Sequence, residues 1–80
     1  MEIVERLVEI RTECKLSQNQ LAKQLDVSRS SICEIEAGKY PVKKVYALAL
    51  QALLGINANW LLTGLGPKYT GLESKMVVGE

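Results

Sequence analysis

The tightest constraint on this chain is the break at Asp26-Val27, which separates two helix-patterned segments by no more than a short turn. Upstream of it, Ser17 followed by Gln20 is a capping-box pattern, so a helix runs over about 17–25 with Leu21, Ala22 and Leu25 inward. Downstream, Ser28 caps a helix that ends near Ala37, where Gly38 is the usual terminator. Two helices joined by so short a break must cross at a steep angle.

The flanking segments read as helices too. Ile3, Leu7, Ile10 and Cys14 fall at helical spacing, with Val4 and Val8 widening the stripe, and acids at positions 2 and 5 suit a helix N-terminus. Pro41 opens a fourth helix over about 42–54, stopped by Gly55, and a short fifth covers about 57–62 with Trp60, Leu61 and Leu62 before Gly64. The stretch after Gly64 shows no sustained period. The expectation is a compact all-α domain over 1–67 followed by a tail or linker over 68–80. Eighty residues make one domain, near the lower size at which a core forms without staples. Hydrophobic residues are 48% of the chain but Phe is absent and Trp single, so Leu, Ile, Val and Ala must build that core.

Several function classes drop out. The longest apolar run, Val45 to Ile56, is interrupted by Gln51 and is too short to span a bilayer. The start, MEIVERLVEI, is acidic and amphipathic rather than basic then apolar, which is no signal peptide and points to a cytoplasmic chain. Cys14 and Cys33 form no CxxC pair and the chain has no His, so neither a zinc site nor a disulfide framework is expected. Cys14 closes the first helix's apolar stripe as a small core residue, and Trp60, inside an apolar cluster, is also read as core. With no nucleophile–base pair and its acids scattered, the chain is not expected to be an enzyme, nor to carry a metal, a cofactor or a small-molecule ligand.

Charge is laid out unevenly. Residues 1–14 set Glu2, Glu5, Glu9 and Glu13 against Arg6 and Arg11, whereas residues 15–44 set Lys15, Lys23, Arg29, Lys39, Lys43 and Lys44 against three acids. With Ile32 at zero on a helical wheel of about 100° per residue, Ile35 and Glu36 lie inward and Ser30 points straight out. Cys33, Glu34 and Ala37 flank Ser30, and Arg29 projects from the first turn. A solvated helix face has that composition, and so does a helix that enters a groove about 12 Å wide. Three features favour the groove. Lys43 and Lys44 occupy a helix start, where the macrodipole disfavours cations unless something such as a phosphate offsets the cost. Gln18 sits in the first turn of the second helix, where free backbone N–H groups plus an amide make an anion site. Finally, a supporting helix, a tight turn and an exposed helix start together describe a helix-turn-helix.

The stretch LSQNQLAKQLDVSRSSICEIEAGKYP also resembles the Cro/repressor-type helix-turn-helix family, and GINANWLLTGLGP resembles the fifth helix and exit of its phage-repressor-like members. The likeness covers about residues 3–67. It implies a lambda-repressor-like five-helix domain that binds an operator as a dimer, most simply as a repressor occupying a palindrome. An autoregulating antitoxin or restriction controller, and an interaction adaptor reusing the fold, are the alternatives. Carried over, Arg29, Ser30, Glu34 and the adjacent Cys33 take base-reading positions in double-stranded DNA. Gln18 with Asn19, Ser31, Lys39, Lys43 and Lys44 take phosphate positions, and Arg11 and Glu36 match a structural ion pair. Leu61, Leu62 and Leu65 are the apolar patch expected to hold a homodimer that is weak without DNA. One departure is Asp26, at a turn position usually filled by Gly. Asp tolerates a positive φ better than most residues, so the turn should form at a small cost.

Overall fold

The computed structural model describes residues 2–70. Five helices carry the fold: α1 (Ile3–Glu13), α2 (Gln18–Leu25), α3 (Arg29–Glu36), α4 (Lys44–Leu54) and α5 (Ala58–Thr63). Local chemistry sets most of their ends. The Ser17 hydroxyl accepts from the Gln20 N–H at 3.0 Å while the Gln20 side chain accepts from the Ser17 N–H at 2.8 Å, a reciprocal box at the start of α2. The Ser28 hydroxyl accepts from the Ser31 N–H at 3.1 Å to open α3, and Asn57 accepts from Asn59 N–H at 3.0 Å to open α5. None of these helices is long and apolar enough to cross a membrane.

The fourth helix starts two residues later than its proline signals. Lys43, with an extended backbone, is the N-cap, and Val42 lies outside the helix with its side chain buried in the core. Val42 and the buried Ala47 occupy the two positions of a hydrophobic staple, which fixes the angle at which the chain enters α4. Tertiary burial of one valine thus overrides Pro41 as a helix opener.

The core takes Leu7 and Ile10 from α1, Leu21 and Ala22 from α2, Ile32 and Ile35 from α3, and Ala47 and Leu50 from α4. Ile56, Ala58 and Leu61 close it from the α5 side. Complete burial of a Leu or Ile contributes about 1.5–3 kcal/mol, and Ile32 and Leu50, on the two helices that flank the α3–α4 loop, are both fully buried. Trp60 and Cys14 are half-buried and pack against this cluster from outside.

Arg6 is buried as well. Its Nε donates to the Leu61 carbonyl at 2.8 Å and an Nη to the Leu62 carbonyl at 3.3 Å, so a cation from α1 satisfies the carbonyl end of α5. The guanidinium explains Gly64, which ends α5 at φ 84°, because a Cβ there would lie 3.1 Å from an Arg6 Nη.

The boundary expected after Pro67 is corrected by the residues that follow it. Asn57 N–H donates to the Lys68 carbonyl and Thr70 N–H to the Gly55 carbonyl, both at 2.8 Å, and Ile56 and Tyr69 form an isolated antiparallel bridge. Lys68 Nζ pairs with Glu9 and with Glu13 (2.6 Å) on α1 and sits 5.5 Å from the Trp60 ring centre. The Tyr69 hydroxyl donates to Glu13 at 2.7 Å. Lys68, Tyr69 and Thr70 therefore belong to the folded unit; the rest of the expected tail lies outside the described residues.

This clamp has a titration signature. Lys68 and then Tyr69 hold the Glu13 carboxyl below the usual range, while the hydrogen bond to Glu13, helped by burial, pushes the Tyr69 phenol up to about 12. A raised phenol pKa means the fold favours the protonated form. That contribution is complete below the ordinary value near 10 and is lost as pH rises through about 12. Glu13 acts in the opposite sense, its contribution failing as pH falls below the ordinary carboxylate range. In an ultraviolet phenolate titration, one of the three tyrosines should ionise late, and Tyr69→Phe should remove that late component. A wild type without such a late component would show that the Tyr69–Glu13 bond is absent in solution.

Candidate nucleic-acid interface

α2 and α3 are joined by a turn that centres on Asp26, whose backbone is left-handed at φ 59°, ψ 45°. An L-residue there costs about 1–2 kcal/mol, less for Asp than for most. The turn is held from both sides. Val27 N–H donates to the Ala22 carbonyl at 2.9 Å, the half-buried Val27 packs on the core, and Ser28 caps α3 immediately afterwards.

α3 divides cleanly by burial. Ile32 and Ile35 are inside, Arg29, Ser30 and Cys33 are exposed, and Ser31 and Glu34 are intermediate. The Ser31 hydroxyl lies 3.0 Å from that of Ser28, so the first turn of α3 presents a pair of linked hydroxyls. Arg29, Ser30, Cys33 and Glu34 are brought together on one two-turn surface.

The far end of α3 is tied down by a network. Arg11 Nε donates to Glu36 Oε2 at 2.7 Å and Nη2 to Oε1 at 3.3 Å, a two-pronged pair whose side chains are 16% and 8% exposed. Arg11 Nη1 also donates to the Leu16 carbonyl at 2.9 Å, and Gln18 Nε2 donates to Glu36 Oε1 at 2.9 Å. Cys33 Sγ is 3.7 Å from Gln18 Oε1. The Gln18 amide, expected to reach outward to a phosphate, is thus turned inward onto Glu36. Because the Ser17 hydroxyl takes the Gln20 N–H, α2 still directs the backbone N–H groups of Gln18 and the exposed Asn19 away from the helix body.

Lys39, Lys43 and Lys44 are exposed along the α3–α4 loop and the start of α4. Between them and α3 lies a shallow groove of about 170 Å³ lined by Ser31, Ile35, Tyr40, Pro41, Lys43 and Tyr46. Tyr40, more than half exposed in this basic loop, is a residue that the pattern reading passed over. Its only sequence signal is an aromatic placed between Lys39 and Pro41. The expected apolar patch is corrected: Leu61 is 0% exposed and part of the core, Leu62 is half-buried, and only Leu65 stands out in solvent. In this six-residue helix the inward side chains are Ala58 and, three residues on, Leu61.

Removing one partner of a buried pair costs about 3–5 kcal/mol, and of an exposed one up to about 1. Glu36→Ala, which strands both Arg11 and Gln18, should destabilise the domain by about 3 kcal/mol and lower Tm by more than about 10 °C. Glu34→Ala, two residues earlier and about half a turn round on the outer side, should change Tm by less than half as much. Thermal unfolding of the two variants side by side checks this, and equal small shifts would mean that Glu36 is solvated.

Residues 4–67 match the family described as "Helix-turn-helix domain". The HTH-type transcriptional activator BcrR of Enterococcus faecalis is 40% identical over 62 residues, an alignment that covers 68% of this chain and 30% of BcrR. The chain thus spans about a third of the length of that relative. No solved structure matches it. With the match running from the start of α1 through α5, and with α2, the Asp26 turn and α3 supplying the two-helix unit, the chain belongs to the helix-turn-helix domain family.

Proposed function

We propose that this DNA-binding domain regulates transcription by laying α3 in the major groove of an operator, with Arg29, Ser30, Cys33 and Glu34 toward the base edges. The observation that carries the reading is the division of α3: two isoleucines buried, the opposite face small at Ser30 and Cys33 and hydrogen-bonding at its edges, and both helix ends pinned. A groove about 12 Å wide admits such a helix. The Asn19 and Gln18 N–H groups at the start of α2, Ser31 on α3, Lys39 and Lys43 in the α3–α4 loop and Lys44 at the start of α4 surround that face and hold the phosphates, which position the helix without reading sequence. Two copies on half-sites about one helical turn (~34–36 Å) apart form the bound state. Repression by occupancy is the regulatory mode that asks least of the domain, since blocking a promoter needs only residence. Activation is the second reading, favoured by the printed name of the 40% identical relative. A reporter with the selected site placed over or upstream of a promoter separates the two.

Specificity is tested by site selection from a random oligonucleotide pool. Arg29 can give a two-pronged contact to guanine and Glu34 can accept from a cytosine amino group, each discriminating by about 1–3 kcal/mol. Arg29→Ala should erase preference at one position per half-site and leave nonspecific binding nearly intact. An identical consensus from both proteins would remove Arg29 from the readers.

Phosphate binding is tested by salt. Lys39, Lys43 and Lys44 from two copies would neutralise about six phosphates and give a slope of log affinity against log salt near −5. Changing Lys43 and Lys44 to Gln should flatten it to about −2 while weakening all sequences alike. A slope that stays near −5 excludes these lysines from the interface, and a wild-type slope near zero favours the adaptor reading of the fold.

A further inference from the structure

From Val45 to Pro67 the sequence holds no charged residue, in a chain that is 24% charged. α4 lies wholly inside this run after Lys44, and it is apolar on both sides. Ala47 and Leu50 face the core. Its one amide, Gln51, is turned to α5, where its Oε1 accepts from the Ala58 N–H at 2.9 Å. The outer side is left with Val45 (60% exposed), Leu48 (48%), Leu53 (51%) and the exposed Ala52. Val45, Leu48 and Ala52 fall at i, i+3 and i+7, a single seam along the helix of the kind that packs against another helix. A surface helix of an isolated domain would carry charges there.

We infer that this seam is the contact between two copies of the chain, α4 against α4 about a two-fold axis running beside the helix. The charge distribution selects a second copy. In a two-fold contact each residue near the axis meets its own counterpart, so any charge on the seam would face its like, and this face carries none. Position selects it too. The groove shared by Ser31, Ile35, Lys43 and Tyr46 places the start of α4 directly beside α3. An axis alongside α4 therefore brings both α3 helices out on the same side of the pair, as one face of a duplex requires. The inference rests on the DNA reading for this second point and for the strength of the pair, not for the first. The size fits a pair completed by DNA: Val45, Leu48, Ala52 and the neighbouring Leu53 are far fewer than the roughly 20–30 residues a side of a stable free-standing complex. Two half-sites on one duplex supply the missing association by holding the copies at millimolar effective concentration.

The test is self-association of the 80-residue chain by sedimentation, alone and with substitutions at Leu48. Because Leu48 is half-exposed, Leu48→Glu and Leu48→Lys keep the core, and melting curves check this. Wild type should dimerise with a Kd on the order of 100 µM, and each variant alone should associate at least about tenfold more weakly. An equimolar mixture of the Glu and Lys variants should recover association to near the wild-type level, since only an α4–α4 contact sets position 48 against position 48. A wild type that stays monomeric to about 1 mM, variants that associate like wild type, or a mixture that recovers nothing would each overturn the inference. Binding of wild type to a random-sequence duplex of about 30 bp is measured alongside. Its absence would sink the DNA reading and leave the self-association result to decide this one.

Discussion

Glu36 is the point on which the geometry of the α2–α3 unit turns. α3 has eight residues, too few to hold a helix by its own hydrogen bonding. A carboxylate at its C-terminal end is also set against the macrodipole, which favours cations there. The Arg11 guanidinium and the Gln18 amide reverse that balance by converging on the same carboxylate, while a third Arg11 nitrogen holds the Leu16 carbonyl in the α1–α2 loop. One planar side chain therefore fixes three elements, which a lysine's point charge would not do in a set geometry. The start of α2 and the outer face of α3 are held in one frame, so the groups proposed to position the protein on a backbone and those proposed to read bases keep a constant register.

α1 is the beam that carries this frame. Near its start Arg6 closes the carbonyl end of α5, and near its end Arg11 closes the α2–α3 unit. Its acidic side, Glu9 and Glu13, takes Lys68 and Tyr69 from the returning chain. The four glutamates that make the first fourteen residues acidic are thus partly structural: two of them clamp the exit of the domain, and Glu5 caps the start of α1 by accepting from the Glu2 N–H at 2.7 Å.

What the sequence made legible follows the range of the interactions concerned. The starts of α2 and α3 were readable because Ser17–Gln20 and Ser28–Ser31 bonds span three residues, and the left-handed turn at Asp26 is equally local. The division of α3 into Ile32/Ile35 and Ser30/Cys33 sides came from a period that two full turns express. α5 has only six residues, less than two turns, so the run Trp60-Leu61-Leu62 could not say which leucine the core takes. Gln18 was placed correctly at a helix start, but the acceptor that turns it inward is eighteen residues away. The Lys68–Thr70 segment was invisible for the same reason, since its partners are Gly55, Asn57, Glu9 and Glu13 and its pairing leaves no repeat in the chain.

α4 shows how a sequence can contain more than its fold requires. Its interior half, Ala47 and Leu50, with Val42 as a staple, is enough to seat it against α2 and α5. Its remaining positions need only residues that favour a helix, and Lys, Glu, Arg and Gln do so about as well as Leu and better than Val. Helix propensity therefore gives no reason for Val45, and burial within one chain gives none for the half-exposed Leu48 and Leu53. Lysines sit immediately before this face, at 43 and 44, where the macrodipole makes them unfavourable for the helix itself. Both departures act at the surface: cations at the end of α4 that lies beside α3, and an uncharged flank running away from it. A chain that worked alone in solution would gain stability and solubility by reversing each of them, and both departures are accounted for together by the proposed assembly, in which a polyanion meets the start of α4 and a second copy meets its side.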